Sequence, residues 1–212
     1  MTRILILGLL LSQLAQASKD LPLSELKALS QKGPSLEVLQ SARRVKPSER
    51  NGDWDQIVSS AAKDLFTRLE TEADRQTAFE IGKELALSHA PLQADEEFMY
   101  RLGELGVLSY STKGIATPFF EKALSTGDAR CKQDSVRAAV ADAFTRPGME
   151  QEKKSAQQIA FTLCAKDLDA AWAKEFVENE LGFASACPGL LKLKVLSGVK
   201  KKKCENFLKE SR

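Results

Sequence analysis

Three glutamates in the run KEFVENELGF, Glu175, Glu178 and Glu180, are the carboxylates whose placement most nearly suits glycan cleavage, a reaction that one well-placed acid can drive. On a helix Glu175 and Glu178 share a face opposite Trp172, Phe176 and Leu181. That is the arrangement of a solvated side, whereas a general acid needs burial to raise its pKa. The sole histidine, His89, follows Leu87 and Ser88 and precedes Ala90-Pro91, at a helix end where an imidazole caps carbonyls or meets solvent. Apart from Ser88, its neighbour at the same helix end, no serine or cysteine stands near it as a nucleophile, so it lacks the partners of a catalytic base. Asp53 and Asp55 flank Trp54, but two carboxylates without the glycine and glutamate of a loop site are too few for calcium. Asp53 reads better as the N-cap of the helix that carries Ile57 onward. The sequence has no GxSxG elbow, no HExxH, no GxxxxGK[ST] and no GxGxxG after a strand. These residues nominate no catalytic set, no metal and no cofactor.

All four cysteines, Cys131, Cys164, Cys187 and Cys204, lie in the second half of the chain. In an oxidising compartment such thiols pair, so two disulfides are expected. Four cysteines allow three pairings, and no sequence rule selects one rigorously. Hairpin geometry ranks them. Cys131 sits near the start of one expected helix and Cys164 near the end of the next, and in an antiparallel hairpin those ends are neighbours. Cys131–Cys164 with Cys187–Cys204 is therefore the first choice. Zinc is discounted, since there is no CxxC pair and only His89 to assist.

The stretch LKLKVLSGVKKKKC places Lys192, Lys194, Lys200, Lys201, Lys202 and Lys203 close together. Such a cluster beside apolar residues can contact anionic lipid headgroups or another polyanion, and it equally suits a solvated tail beside a disulfide. Nucleic acid fits poorly, because no aromatic residues interleave the lysines.

The opening MTRILILGLLLSQLAQA carries Arg3, an apolar run from Ile4 to Leu11, and a polar stretch closing on Ala15-Gln16-Ala17 before Ser18. That is the order of a secretory signal peptide cleaved after Ala17. The run falls well short of the roughly 20 residues a spanning helix needs, and no cysteine follows Ala17 to take a lipid. The expected product is secreted or periplasmic, without a transmembrane segment, and away from cytosolic cofactors and nucleic acid. Losing residues 1–17 removes Arg3 and no acid, leaving 30 basic and 29 acidic residues, so global charge implies no particular partner. Residues 18–212 are expected to form a single helical domain, with 18–52 as a loosely attached N-terminal hairpin bounded by the loop-like KPSERNGD of Lys46–Asp53.

Helical apolar spacing dominates the elements. Val58, Ala61, Ala62, Leu65, Phe66 and Leu69 form one stripe, and the same spacing recurs in Val136, Ala139, Val140, Ala143 and Phe144 and in Ala156, Ile159, Ala160, Leu163 and Cys164. Alternating β-branched runs between hairpin turns are missing. The fold class is all-α, with about ten helices in stacked antiparallel hairpins, as a short α-solenoid or an irregular bundle. Gly33-Pro34, Lys46-Pro47, Ala90-Pro91, Gly127-Asp128, Pro147-Gly148 and Cys187-Pro188 each mark a helix stop or a tight connection. Thr117-Pro118 supplies an N-cap hydroxyl followed by proline at the first helical position.

Tyr100–Asp128, YRLGELGVLSYSTKGIATPFFEKALSTGD, carries Leu102-Gly103 in its first helix and Ala116, Phe120, Ala123 and Leu124 in its second. In these positions it resembles one tetratricopeptide or Sel1-type unit, with a one-residue shift between the helices. Residues 57–90 and 128–164 share the hairpin length without the signature positions. The resemblance implies partner binding on a concave helical surface. The leading expectation is an exported, non-enzymatic helical protein that binds a protein partner or envelope component. A glycan hydrolase or lyase using an acidic residue and a carrier of a small apolar ligand are the alternatives.

Overall fold

Short polar side chains and glycine-proline breaks set where the helices begin and end. A computed structural model describes residues 20–167, 180–194 and 196–210, with side chains of 180–185 excepted. Within them the chain is all-α: eleven α-helices, three 3-10 turns and one π turn, with no strand. The described residues fall into two compact units divided between Leu65 and Phe66, taken here one at a time. The expected signal peptide, residues 1–17, lies outside the described residues, as do Glu175, Glu178, Trp172 and Phe176.

In the first unit α1 (Leu23–Lys32) and α2 (Ser35–Ala42) are separated by Gly33-Pro34, where the Gly33 N–H still donates to the Leu29 carbonyl at 2.6 Å. Helix α3 (Gly52–Glu72), which belongs to this unit as far as Leu65, is capped by Asn51, whose Oδ1 accepts from the N–H groups of Asp53 at 3.0 Å and Trp54 at 3.4 Å. Asp53, the expected cap, instead lies in the first turn and pairs with Lys27 at 3.6 Å. The side chain two residues earlier reaches the orphan donors first, and an acid inside the first turn still suits the helix dipole. Trp54 is buried and donates its indole N–H to the Ala42 carbonyl at 3.1 Å, while the Arg50 guanidinium covers its ring at 5.1 Å. The loop of Lys46–Asp53 belongs to this unit and includes a 3-10 turn at Pro47–Glu49.

In the second unit α4 (Arg75–Ser88) is capped by Asp74 through the Thr77 N–H at 2.9 Å, and α6 (Glu96–Ser109) by Asp95 through the Phe98 N–H at 3.0 Å. Between them lies the short α5 (Ala90–Gln93). His89, at the junction of α4 and α5, is only 2% exposed, so the solvent-facing position the sequence allowed is not the one it takes. A 3-10 turn at Lys113–Ala116 leads into α7 (Thr117–Ala123); α8 (Asp134–Thr145) and α9 (Glu150–Gln158) follow. Helix packs on near neighbour, α4 on α6, α6 on α7, α7 on α9 and α8 on α9. Glycines on these faces set the spacing: a β-carbon at Gly103 would meet the Phe120 ring at 2.7 Å, and one at Gly106 the Phe79 ring at 2.8 Å. The buried rings of Phe66 and Phe98 lie 5.1 Å apart, and those of Tyr100 and Phe120 5.4 Å.

Thr117 does not cap α7. It takes helical angles itself, is fully buried, and its Oγ1 lies 2.9 Å from both the Gly114 and Glu152 carbonyls. A buried hydroxyl must donate somewhere, and two carbonyls within reach outweigh the N–H groups of the next turn. Cys187-Pro188 likewise does not stop a helix. Pro188 lies inside α10 (Glu180–Lys192), which α11 (Gly198–Glu210) follows. Proline costs the helix one hydrogen bond. Packing beside it holds the helix together: a β-carbon on Gly189 would lie 2.6 Å from the Phe161 ring, and Cys187 is cross-linked.

Both disulfides join the cysteines the hairpin argument paired. Cys131 and Cys164 have Cα atoms 5.4 Å apart, and Cys187 and Cys204 5.5 Å. Cys131 lies in the 3-10 turn at Ala129–Lys132, just before α8. Cys164 follows a π turn at Ile159–Leu163, and its N–H reaches back five residues to the Ile159 carbonyl at 2.7 Å. Beside them Arg130 makes a fork to Asp128, donates to the Ala123 carbonyl at 2.8 Å and covers the Tyr100 ring at 5.0 Å.

Candidate functional site

The second unit carries a cleft of about 620 Å³. One wall is a face of α4: Phe79, Glu80, Lys83, Ala86 and Leu87 recur at helical spacing and all line it. Facing them are Tyr110, Ile115, Pro118, Phe119 and Lys122 from the chain between α6 and the end of α7, with Gln151 and Glu152 from α9. Buried Met99 adds to the lining.

Three aromatic rings organise it. Phe79 meets Tyr110 edge-on at 5.6 Å and Phe119 edge-on at 5.6 Å, the arrangement that the ring quadrupoles favour. Phe79 is buried while Phe119 and Tyr110 are half-buried, so the aromatic surface reaches from the core to the opening. Leu87, at the rim, is 68% exposed.

The polar groups of the cleft are tied to one another. Glu80 accepts from the Tyr110 hydroxyl at 2.6 Å through one carboxylate oxygen and from Lys83 at 2.6 Å through the other. The bond from Lys83, then that from Tyr110, holds the Glu80 carboxyl below its ordinary range against a smaller opposing effect of burial. The same bond to Glu80 raises the Tyr110 phenol. A carboxylate so stabilised as the anion is the reverse of a general acid, which needs its proton held at neutral pH. Glu80 therefore orients Tyr110 and Lys83. Lys122 donates to Gln93 Oε1 at 3.3 Å on another part of the rim. What this arrangement offers is an apolar, aromatic surface edged by fixed donors and charges, within the size range of sites that enclose a small ligand or a few side chains of a peptide.

The residues nominated from sequence lie elsewhere. Lys192 ends α10 and Lys194 lies in the turn after it, while Lys200, Lys201, Lys202 and Lys203 occupy the first turns of α11; all six are exposed and none lines the cleft. The disulfide Cys187–Cys204 joins their two helices. Glu180 opens α10, and Glu175 and Glu178 lie outside the described residues. The residues that carried the tetratricopeptide resemblance, Leu102, Ala116, Phe120, Ala123 and Leu124, are all buried and none lines the cleft. Sequence reading missed the cleft because Phe79, Tyr110 and Phe119 come from separate elements. Its one local trace is the i, i+4 pair of Phe79 and Lys83, whose Nζ lies 5.7 Å from the ring centre.

Set against protein-family models, curated proteins and solved structures, the chain matches none of them.

Proposed function

We propose that this chain is an exported, non-enzymatic helical protein that binds a segment of a protein or cell-envelope partner, and that the cleft between α4 and α7 receives that segment. The observation that carries the reading is the aromatic row Tyr110–Phe79–Phe119 opening at exposed Leu87, edged by Lys83, Glu80 and Lys122. Aromatic rings at a concave site supply large contact area at low entropic cost, and a fixed polar rim supplies direction. The likeness of residues 100–128 to a tetratricopeptide-type unit supports the same role, and two disulfides suit an oxidising compartment.

A photo-crosslinking residue at Leu87, in the native compartment, is expected to trap a discrete partner. The same residue at Leu108, which is 60% exposed and does not line the cleft, traps none. Adding Phe119→Ala removes the Leu87 adduct while the protein stays folded. Equal labelling from both positions, or an adduct that survives the loss of Phe119, sinks the proposal. A second reading, a carrier of a small apolar ligand, draws on the volume of the cleft. A lipid-sized mass that travels with the intact protein in native mass spectrometry, and leaves with Phe119→Ala, favours it.

A further inference from the structure

We propose that α11, with the end of α10, forms a surface that rests on an anionic lipid bilayer, lysines at the headgroups and Val199 and Phe207 at the acyl boundary. Residues 192–210 hold seven lysines and only two glutamates. At 100° per residue, Val199, Lys202, Lys203 and Asn206 lie about 100° or more round α11 from buried Cys204, and Phe207, about 60° from it, stands at the edge of that side. The bridge to Cys187 holds the helix from its opposite side, so this face is presented outward as a fixed surface. Glu205 is engaged with Lys201 at 3.8 Å on the flank, and Glu210, at the last position of the helix, falls on the outward side, an acid against Lys202, Lys203 and Lys209.

Charge complementarity selects an anionic surface, and the apolar residues select a bilayer among such surfaces. Val199 is 82% exposed and Phe207 39% exposed, in the middle of a lysine cluster. A soluble polyanion would engage the lysines and leave Val199 and the exposed edge of Phe207 in water. A bilayer gives them an apolar boundary a few ångströms below the headgroups, where amphipathic helices lie in the plane of the interface. Among the described residues no helix is long and apolar enough to cross a membrane, and α11, about 20 Å long, would lie along it.

The test is cosedimentation of the protein, as recovered from its native compartment, with vesicles of phosphatidylglycerol and phosphatidylcholine in equal parts, against vesicles of phosphatidylcholine alone. Binding to the first and not the second is expected. Replacing Lys202 and Lys203 by Gln lowers partition roughly thirtyfold, about fivefold for each lysine. The pair Val199→Ser with Phe207→Ser lowers vesicle partition and leaves binding to heparin, a soluble polyanion, unchanged. Val199→Ser alone, at a fully outward position, gives the same direction without risk to the fold. Far-UV circular dichroism and an intact Cys187–Cys204 bridge certify each variant. Equal binding to both vesicle types, binding to neither, or undiminished vesicle binding by the two serine variants overturns the proposal, the last outcome assigning the lysines to a soluble polyanion.

Discussion

A β-carbon on Gly114 would lie 2.9 Å from both the Cα and the backbone nitrogen of Ala143, so the turn that leads into α7 rests directly on the backbone of α8. The Gly114 N–H donates to Asp142 Oδ2 at 2.8 Å, which fixes the same approach with a hydrogen bond. Gly114→Ala has no flexible side chain to push aside. It is expected to cost about 1–3 kcal/mol, the usual penalty for overpacking. Urea unfolding should show a lower midpoint at unchanged slope, and an undiminished midpoint would contradict the close approach. Because Ile115, Pro118 and Phe119 continue from this turn into the cleft wall, the variant should also bind the cleft's ligand more weakly.

The Asp128–Arg130 fork predicts an acid-sensitive component of stability. Hydrogen bonds from the Arg130 side chain, and then from its backbone, hold the Asp128 carboxyl below the usual carboxylate range, with burial opposing. A group depressed in the folded state contributes fully above its unfolded pKa, about 4, and the contribution fades as pH falls through the lower folded value. Asp128→Asn should therefore cost about 1.5–3 kcal/mol at neutral pH, the range for a charge-assisted hydrogen bond. Thermal midpoints of parent and variant should converge below about pH 4. A gap that persists unchanged at the lowest pH would show that the fork acts through shape alone.

Each disulfide can be removed on its own. Cys131 and Cys164 are 33 residues apart and Cys187 and Cys204 are 17 apart. On the chain-entropy account the first bridge is worth about 4 kcal/mol and the second about 3. All four cysteines are buried, so paired Cys→Ala variants add a packing loss to the entropic one. Unfolding measured with and without reductant should rank the variants in that order, and a larger loss from the 187–204 pair would reverse it.

Lys194 adopts φ of +57°, in the turn where its N–H closes on the Leu191 carbonyl at 3.1 Å after α10. A side chain in this left-handed region costs about 1 kcal/mol that glycine avoids. Lys194→Gly is expected to raise the thermal midpoint and Lys194→Val to lower it, since a β-branched residue is worst there. The reverse order would refute the assignment.

What the sequence made legible follows local periodicity. The stripe Val136, Ala139, Val140, Ala143 and Phe144 is wholly buried in α8, because a 3.6-residue repeat depends only on the helix itself. The cysteine pairing was readable for the same reason, as a hairpin brings its two ends together whatever surrounds it. Competition between neighbours was not readable. Asn51 and Asp53 are both good caps, and which one reaches the first N–H groups is decided by where α3 starts. Pro188 reads as a stop, and only its packed and cross-linked neighbours, Gly189 and Cys187, explain why α10 runs through it. The cleft was the least legible, since the Tyr110 hydroxyl finds Glu80 across 30 residues and no spacing rule foretells that bond.

The connectivity of the two bridges carries a kinetic consequence. First cysteine pairs with second and third with fourth, so neither loop encloses part of the other. A chain that meets an oxidant from its N-terminal end offers Cys131 and Cys164 together before Cys187 appears, and the next two thiols to emerge are again native partners. Oxidation in order of emergence thus arrives at the native pattern without a shuffling step, sparing the slow rearrangements, seconds to hours long, that interleaved bridges impose.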